Sequence, residues 1–576
     1  MRKIYIQTIF TALFLGAMPF ASSAQDINST VEVRKAYEGK LREVHKPNMW
    51  VDVPDTVNRF NLEFEYDRFT SRYTSSYEFR PHLLDLKPNA QIDNGNTFFM
   101  KLGAGYTLNP IFDLVWSPRL KNNWKLNIYA SHNSYVGNYF HLEPIQYSSK
   151  SIVLNKHKNH ADQVLKYFGY DLLSKAGIDS RYDWNNSVFM FDLGYYGLAQ
   201  KDWMKNRSYN ALDAAIRIKS KSVKPNRFHY DFGIDYRFAA DDVCYTKTYT
   251  QLQEHDFSVN ALIGPVLKEK HKILFDLGFD GAFYRGALDS FVGNAFISAK
   301  YVYEKGRLDI AAGVRAEKLI RNSDIKGLHS SKEQFVYPDV DISFTAIKNG
   351  MDIYLKAIGG NNINTYSSIL SKRHFADFKY GQGIYPAFSN DVERVAASIG
   401  VKGRITPYFS YDLSTGYRNM ANGIMDAMVI GADSYLPALA YTSWQGAYVA
   451  LDMRLKFDSF SAAFAMNYDY TDFLGKSEGI FEPAKFTGAG SLTWNWHKRV
   501  WIGADCEFAT ERYASISDTK YMINGYTDLG LYIEYRHTSH LSFWLRGGNL
   551  LFHTIQRNPF HAEKGGNFTV GICLNM

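Results

Sequence analysis

Sixteen histidines, 58 acidic residues and three cysteines are the groups here that could do acid–base, metal or nucleophilic chemistry. Their spacing decides what they can do. His132, His141, His157, His160, His537, His540, His553 and His561 stand in or beside polar, turn-rich stretches, where a solvated side chain explains them. There is no Ser-His-Asp order, no His-Glu-x-x-His and no phosphate-cradling glycine loop. Lys156-His157-Lys158-Asn159-His160 has the charge to hold a lipopolysaccharide phosphate, but a solvated loop tip accounts for it better. Asp241-Asp242 and the Asp339/Asp341 pair could contribute to a calcium site, but calcium takes roughly six to eight oxygens and isolated pairs supply too few. Cys244, Cys506 and Cys573 are far apart, with neither metal nor disulfide spacing. No enzyme, cofactor or metal centre is expected.

One set of charges does follow a rule. Arg227, Asp231, Asp235 and Arg237 alternate with Phe228, Tyr230, Phe232, Ile234, Tyr236 and Phe238. Asp276 and Asp280 alternate with Phe275, Leu277 and Phe279, and Asp452 and Arg454 with Leu451, Met453 and Leu455. A period of two is that of a strand, so each segment has a charged face and an apolar face. Charges so placed would be costly in a dry sandwich core, whereas a wet lumen solvates them. The last residues show the same division. Phe568, Val570, Ile572, Leu574 and Met576 share one face, and small or polar residues the other. A chain ending in such a strand points to a closed barrel whose last strand pairs with its first, because an open apolar edge invites aggregation. The fold expected is all-β: a transmembrane antiparallel β-barrel of about 22 strands, inserted in an outer membrane.

The elements that must carry these faces are marked by their links. Short turns fall at Ser117–Asn123, Asp183–Asn186, Lys224–Asn226, Leu267–His271, Glu304–Gly306, Lys348–Gly350, Arg404–Pro407, Phe457–Ser459, Trp496–Arg499 and Arg536–His540. Between them lie longer polar links near 134–171, 320–334, 361–390, 419–440, 471–484 and 551–565. Alternation of this kind places short turns on the periplasmic side and long loops outside the cell. Ten turns join twenty strands, and strands near 97–106 and at the end bring the total to 22, with the segments near 57–80 and 423–431 as further strand candidates. A lumen of that size needs a stopper, for which 134–171, 361–390 and 25–95 are the candidates.

Residues 1–24 read as a secretory signal, with Arg2 and Lys3 before an apolar run and Ser22-Ser23-Ala24 as the cleavage site. Gln25 follows the cut, so no lipid anchor is expected. Residues 25–95 read as a periplasmic lead-in and 96–576 as the barrel. Removal of Arg2 and Lys3 leaves 63 basic against 58 acidic residues, a balance that argues against a nucleic-acid partner. Aromatic residues make up 16%, as girdles at two membrane interfaces require. Past the leader no apolar run approaches the roughly 18 residues of a membrane helix, so insertion must use strands.

The ending resembles that of the TonB-dependent receptors of Gram-negative outer membranes. It runs through Gly548-Asn549-Leu550-Leu551, a loop with Pro559-Phe560, then Gly565-Gly566-Asn567-Phe568 and the alternating strand. The resemblance implies solute passage or uptake across the outer membrane. It implies contact with outer-membrane lipids and lipopolysaccharide, and recognition of Phe568, Val570, Ile572, Leu574 and Met576 by the barrel-assembly machinery. Two departures stand out. Met576 ends the chain where Phe is usual, and the stretch before the first strand is shorter than the family's plug. Thr30-Val31-Glu32-Val33 resembles a coupling box only faintly. The chain therefore looks like a plug-less branch of the family. The alternative function is a structural or assembly subunit, with envelope proteins held at the loops or at residues 25–95.

Overall fold

The computed structural model describes residues 97–576 except 107, 121–122, 149, 159–162, 222–227, 246–247, 268–269, 322–335, 349, 377–389, 431–434 and 476. The leader at 1–24, the segment at 25–95, Arg227 and His160 lie outside the described residues. Twenty-two antiparallel strands form one closed sheet, from Phe98–Tyr106 to Asn567–Asn575. The terminal strand pairs on one edge with Leu541–Gly548 and on the other with the first, from Phe99↔Asn575 to Tyr106↔Phe568. Both ends of the sheet are thereby used up. No helix among the described residues is long and apolar enough to cross a membrane, and the barrel crosses the outer membrane with its strands.

Strand Lys205–Ser220 shows how the sequence sets the wall. Lys205, Arg207, Tyr209 and Ala211 are buried, while Asn206, Ser208, Asn210 and Leu212 between them are exposed. Lower in the same strand the outward residues become apolar, with Leu212 54% and Ile216 45% exposed. The neighbouring strand Phe228–Tyr245 continues the apolar surface with Phe232, Ile234 and Tyr236, and Val570 in the last strand is 58% exposed. Large aliphatic and aromatic side chains exposed around a whole ring are the reverse of a water-soluble surface. They are what a lipid-facing wall requires.

The short turns lie where their composition puts them, for example at 184–186, 457–459 and 537–540. The long links hold more structure than polar composition indicates. The stretch 419–440 is mostly ladder: Phe409–Ile430 and Tyr435–Lys456 are two 22-residue strands joined by a four-residue link. Glycine and asparagine gave it a loop's composition, but the pair bulges between Met420 and Gly423, steps its register by one residue and pairs on to Ile430↔Tyr435. A Cβ at Gly423 would come 2.6 Å from Trp444 Nε1, so glycine lets that ring close over the bulge. Near 134–171, strand Trp124–Phe140 continues upward, and Leu142–Ser148 and Ser151–Lys156 form half of a second, four-stranded sheet. The other half, Arg512–Ile516 and Thr519–Ile523, comes from another long link, and the halves meet in parallel from Lys520↔Ser151 to Ile523↔Leu154. Leu154, Met428, Phe481, Ala514, Tyr521 and Ile523 make the apolar cluster that holds these links together.

At the seam between last and first strands, Gly103 faces Gly571. A Cβ on Gly103 would stand 2.3 Å from the Trp544 ring, and one on Gly571 1.9 Å from the Leu102 carbonyl oxygen. Trp544 is buried and donates to the Ile572 carbonyl at 3.3 Å.

Leu451 pairs with Leu413, which is 47% exposed on the outer wall, whereas Ala450 points to the other face. Leu451→Arg should sharply lower the fraction of folded, heat-modifiable barrel in outer membranes, because a lipid-facing arginine near the midplane costs about 2–4 kcal/mol. Ala450→Arg should leave most of it folded. Equal loss in both variants would contradict the assignment of the two faces.

Candidate functional site in the barrel interior

The inward faces carry charge in bonded sets. Asp231 accepts from Arg217 Nε at 2.6 Å, and the Arg237 guanidinium forks onto Asp213, with Nη2 to Oδ2 at 2.9 Å. Asp280 accepts from Ser258 at 2.6 Å. Asp235 and Asp276 occupy the same faces as Asp231 and Asp280 on their strands. Asp452 lies opposite Asp412, which accepts from Tyr354 Oη at 2.7 Å, and Arg454 opposite Ser410. Arg237 shares its strand face with Asp241 of the patch described next. The other charges are spread over distant strands, so the structure does not gather them into one site. Among the described residues no three His, Cys, Asp or Glu side chains form a metal cage.

The long link between strands Met351–Ile363 and Asn390–Thr406 turns into the barrel. Its middle is a seven-residue helix, Tyr366–Lys372. Thr365 caps the helix by accepting from the Ser368 amide at 3.2 Å. A helix this short is marginal alone, so its stability comes from what it packs against. Tyr366, Ile369 and Leu370 are buried among Leu198, Tyr209, Ala239, Val243, Leu252, Ala282 and Tyr284 of the inner wall. Tyr366 Oη donates to Asp241 at 2.5 Å and accepts from Arg207 Nη2 at 3.0 Å. The Ser367 amide donates to Glu254 at 3.1 Å, the Ser367 hydroxyl meets Glu254 and Tyr209, and the Tyr366 amide donates to Tyr284 Oη at 3.2 Å.

The far end of this segment reaches elsewhere. Arg373 Nε donates to Asp426 at 2.5 Å, and Asp426 also accepts from Arg512 of the small sheet at 3.2 Å. Tyr209 and Asp426 stand on strands nine places apart in the ring of 22. The segment thus spans the interior from one wall nearly to the opposite one, and Arg512 ties it to the outer cap. Beyond the helix, Arg207 Nη1 and Lys205 Nζ hold the carbonyls of His374 and Phe375, at 2.7 and 3.1 Å. Phe375 stacks on His561 of the last long link at 4.1 Å, and His561 Nε2 lies 3.5 Å from Asp202.

Arg207, Tyr209, Glu254 and Tyr366 were not singled out by sequence pattern. The available signal was Thr365 followed by the Ile369-Leu370 pair inside a polar link, which is a capped helix with an apolar side.

No family model matches the chain, and no curated protein matches it in sequence. Solved structures do match it in shape. A structure described as the copper transporter OprC superposes with a TM-score of 0.60 at 10% identity, covering 84% of this chain and 83% of that one. The ferric enterobactin receptor PfeA of Pseudomonas aeruginosa gives 0.57 at 10% identity, over 84% and 81%. The FrpB iron transporter of Neisseria meningitidis gives 0.61 at 9% identity, over 84% and 82%. At these identities what is shared is the fold: the 22-strand outer-membrane barrel of such receptors.

Asp202 offers a pH test outside the membrane-spanning part. Burial alone would raise its pKa, but the bond to His561, the nearby Lys205 charge and the Lys205 amide outweigh it and bring the carboxyl down to about 2. A depressed acid contributes stability above its ordinary range, and that contribution is lost as pH falls through the depressed value. Protease access to the 549–566 link should therefore stay low at pH 5–7 and rise between about pH 4 and pH 2. Asp202→Asn should be accessible at every pH, and an acid response unchanged in this variant would exclude Asp202 as its origin.

Proposed function

We propose that the protein carries solute across the outer membrane through its lumen, with the inward segment 364–376 as the constriction. The observation that supports this most is the span of that segment from Tyr209 to Asp426 across the ring. A 22-strand lumen is wide, and a chain that crosses it is placed to govern what passes. The likeness in fold to proteins named for copper, enterobactin and iron supports uptake as the task. The inward Asp231, Asp235, Arg237, Asp276, Asp280, Asp452 and Arg454 would keep the path wet and screen solutes by charge. The wall would contact lipid and lipopolysaccharide, and the terminal strand from Phe568 to Met576 would serve as the signal to the barrel-assembly machinery.

The constriction can be tested without knowing the solute. Tyr366→Ala with Arg373→Ala removes a hold on each wall. In planar bilayers the full chain should conduct little, and the double variant at least about tenfold more, as expected of a wide barrel that loses its stopper. Cells carrying the variant should become sensitive to large antibiotics normally excluded by size. A double variant that is folded by heat modifiability yet conducts like the native barrel would sink the proposal.

A further inference from the structure

The rim formed by the short turns carries mostly one sign of charge. Six of these links follow one another from strand Thr248–Leu267 round to strand Val500–Ala509. Lys270, Arg307, Lys348, Lys498 and Arg499 lie in them and Lys305 directly beside one, all six exposed. Asp458 is the one acidic residue among the described residues of these links. Glu304, Asp309 and Asp352 stand at neighbouring strand feet, but their register puts them on the inward faces, where Glu304 holds Lys272 at 2.8 Å. Large apolar side chains are exposed in the same turns. Ile347 precedes Lys348 and is 58% exposed, and Trp496, just before Lys498 and Arg499, is 54% exposed. Tyr408 and Phe457, of the two links between, lie side by side with ring centres 5.1 Å apart. Side chains of this kind continue the lipid-facing belt into the turns, and aromatic residues gather where a bilayer meets water. The turns therefore lie among headgroups. A lysine or arginine one or two positions from such a residue lays its stem along the apolar surface and brings its charge to the phosphates.

We propose that this arc of turns binds phospholipids of net negative charge in the inner leaflet of the outer membrane. The arc lies at the end of the barrel opposite the long links, so its lipid is not the lipopolysaccharide of the outer leaflet. An acidic protein would answer the charge but leave Ile347, Tyr408, Phe457 and Trp496 without an apolar partner. A lipid answers both, with acyl chains against the side chains of the belt and a phosphate beside each cation. The inference rests on the lipid contact proposed above and gives it a leaflet and a charge. It does not depend on what passes through the lumen.

The test measures the lipid selectivity of the full chain refolded in phosphatidylcholine vesicles, by electron spin resonance of spin-labelled phosphatidylglycerol or phosphatidylcholine. The native barrel should hold the phosphatidylglycerol label in its boundary shell about fivefold more strongly, the factor that one cation near a membrane surface supplies. High salt should reduce this preference, because exposed charges are screened. Lys305→Gln with Arg307→Gln and Lys348→Gln should bring it to about twofold or less. The same change at Lys166, Lys201 and Lys520, exposed at the other end of the barrel, should leave it intact. A native barrel without preference overturns the proposal, and a periplasmic protein lost from the Lys305 triple variant would then mark the arc as a protein contact. A folded Lys305 triple variant that keeps the native preference overturns it by placing the lipid elsewhere. Equal loss in both triple variants overturns it too, by tracing the preference to net charge alone.

Discussion

A strand facing lipid has no water to hydrogen-bond, so every amide and carbonyl must find a partner in the protein. That constraint organises the molecule. It forbids a free edge, and the pairing of Asn567–Asn575 with Phe98–Tyr106 is how it is met. Closure in turn divides the side chains into two populations with different solvents. Outward positions such as Ile234 and Val570 meet lipid, and inward ones such as Asp231 and Arg237 can be charged because they meet water or each other.

An interior built this way is then reused. Above the lipid-facing belt the inward faces of strands 205–220, 228–245, 248–267 and 271–286 become a dry bed of tyrosines and aliphatics, and the helix Tyr366–Lys372 lies in it. A seven-residue helix could not hold that position by packing alone. Arg207, Asp241 and Glu254 take up its polar groups, and Asp426 joins it to the small sheet through Arg373 and Arg512. Cap, helix and wall are therefore one bonded assembly. Removing one member of a buried charge pair in it leaves the other uncompensated, a much larger loss than breaking an exposed pair.

The sequence showed the barrel because its signals are local. A period of two over ten residues, bracketed by a polar turn, needs no knowledge of the rest of the chain, and the strands from Phe98 to Asn575 follow it. What it concealed depends on distance. The parallel pairing of Ser151–Leu154 with Lys520–Ile523 joins residues more than 360 positions apart, and nothing in either segment names the other. The stretch 419–440 looked like a loop because Gly423 and Asn422 are turn residues, yet there the glycine makes room for Trp444. The interior patch was hidden for another reason. Arg207 and Glu254 sit in alternating strands like many others, and only the arrival of Tyr366 and Ser367 from a remote link sets them apart.

The seam has a consequence for how the barrel is completed. Trp544 can lie flat only where both residues beneath it lack a side chain, and Gly103 opposite Gly571 is that place. A slip of one residue would exchange the lipid and lumen faces of the whole terminal strand. A slip of two that sets Gly103 against Thr569 would keep the faces but bring Lys101 opposite Gly571, and the indole would collide with its Cβ. The shape of one ring therefore refuses a slip in that direction. Errors of alignment gathered along 22 strands in that direction are read out, and refused, at the final join.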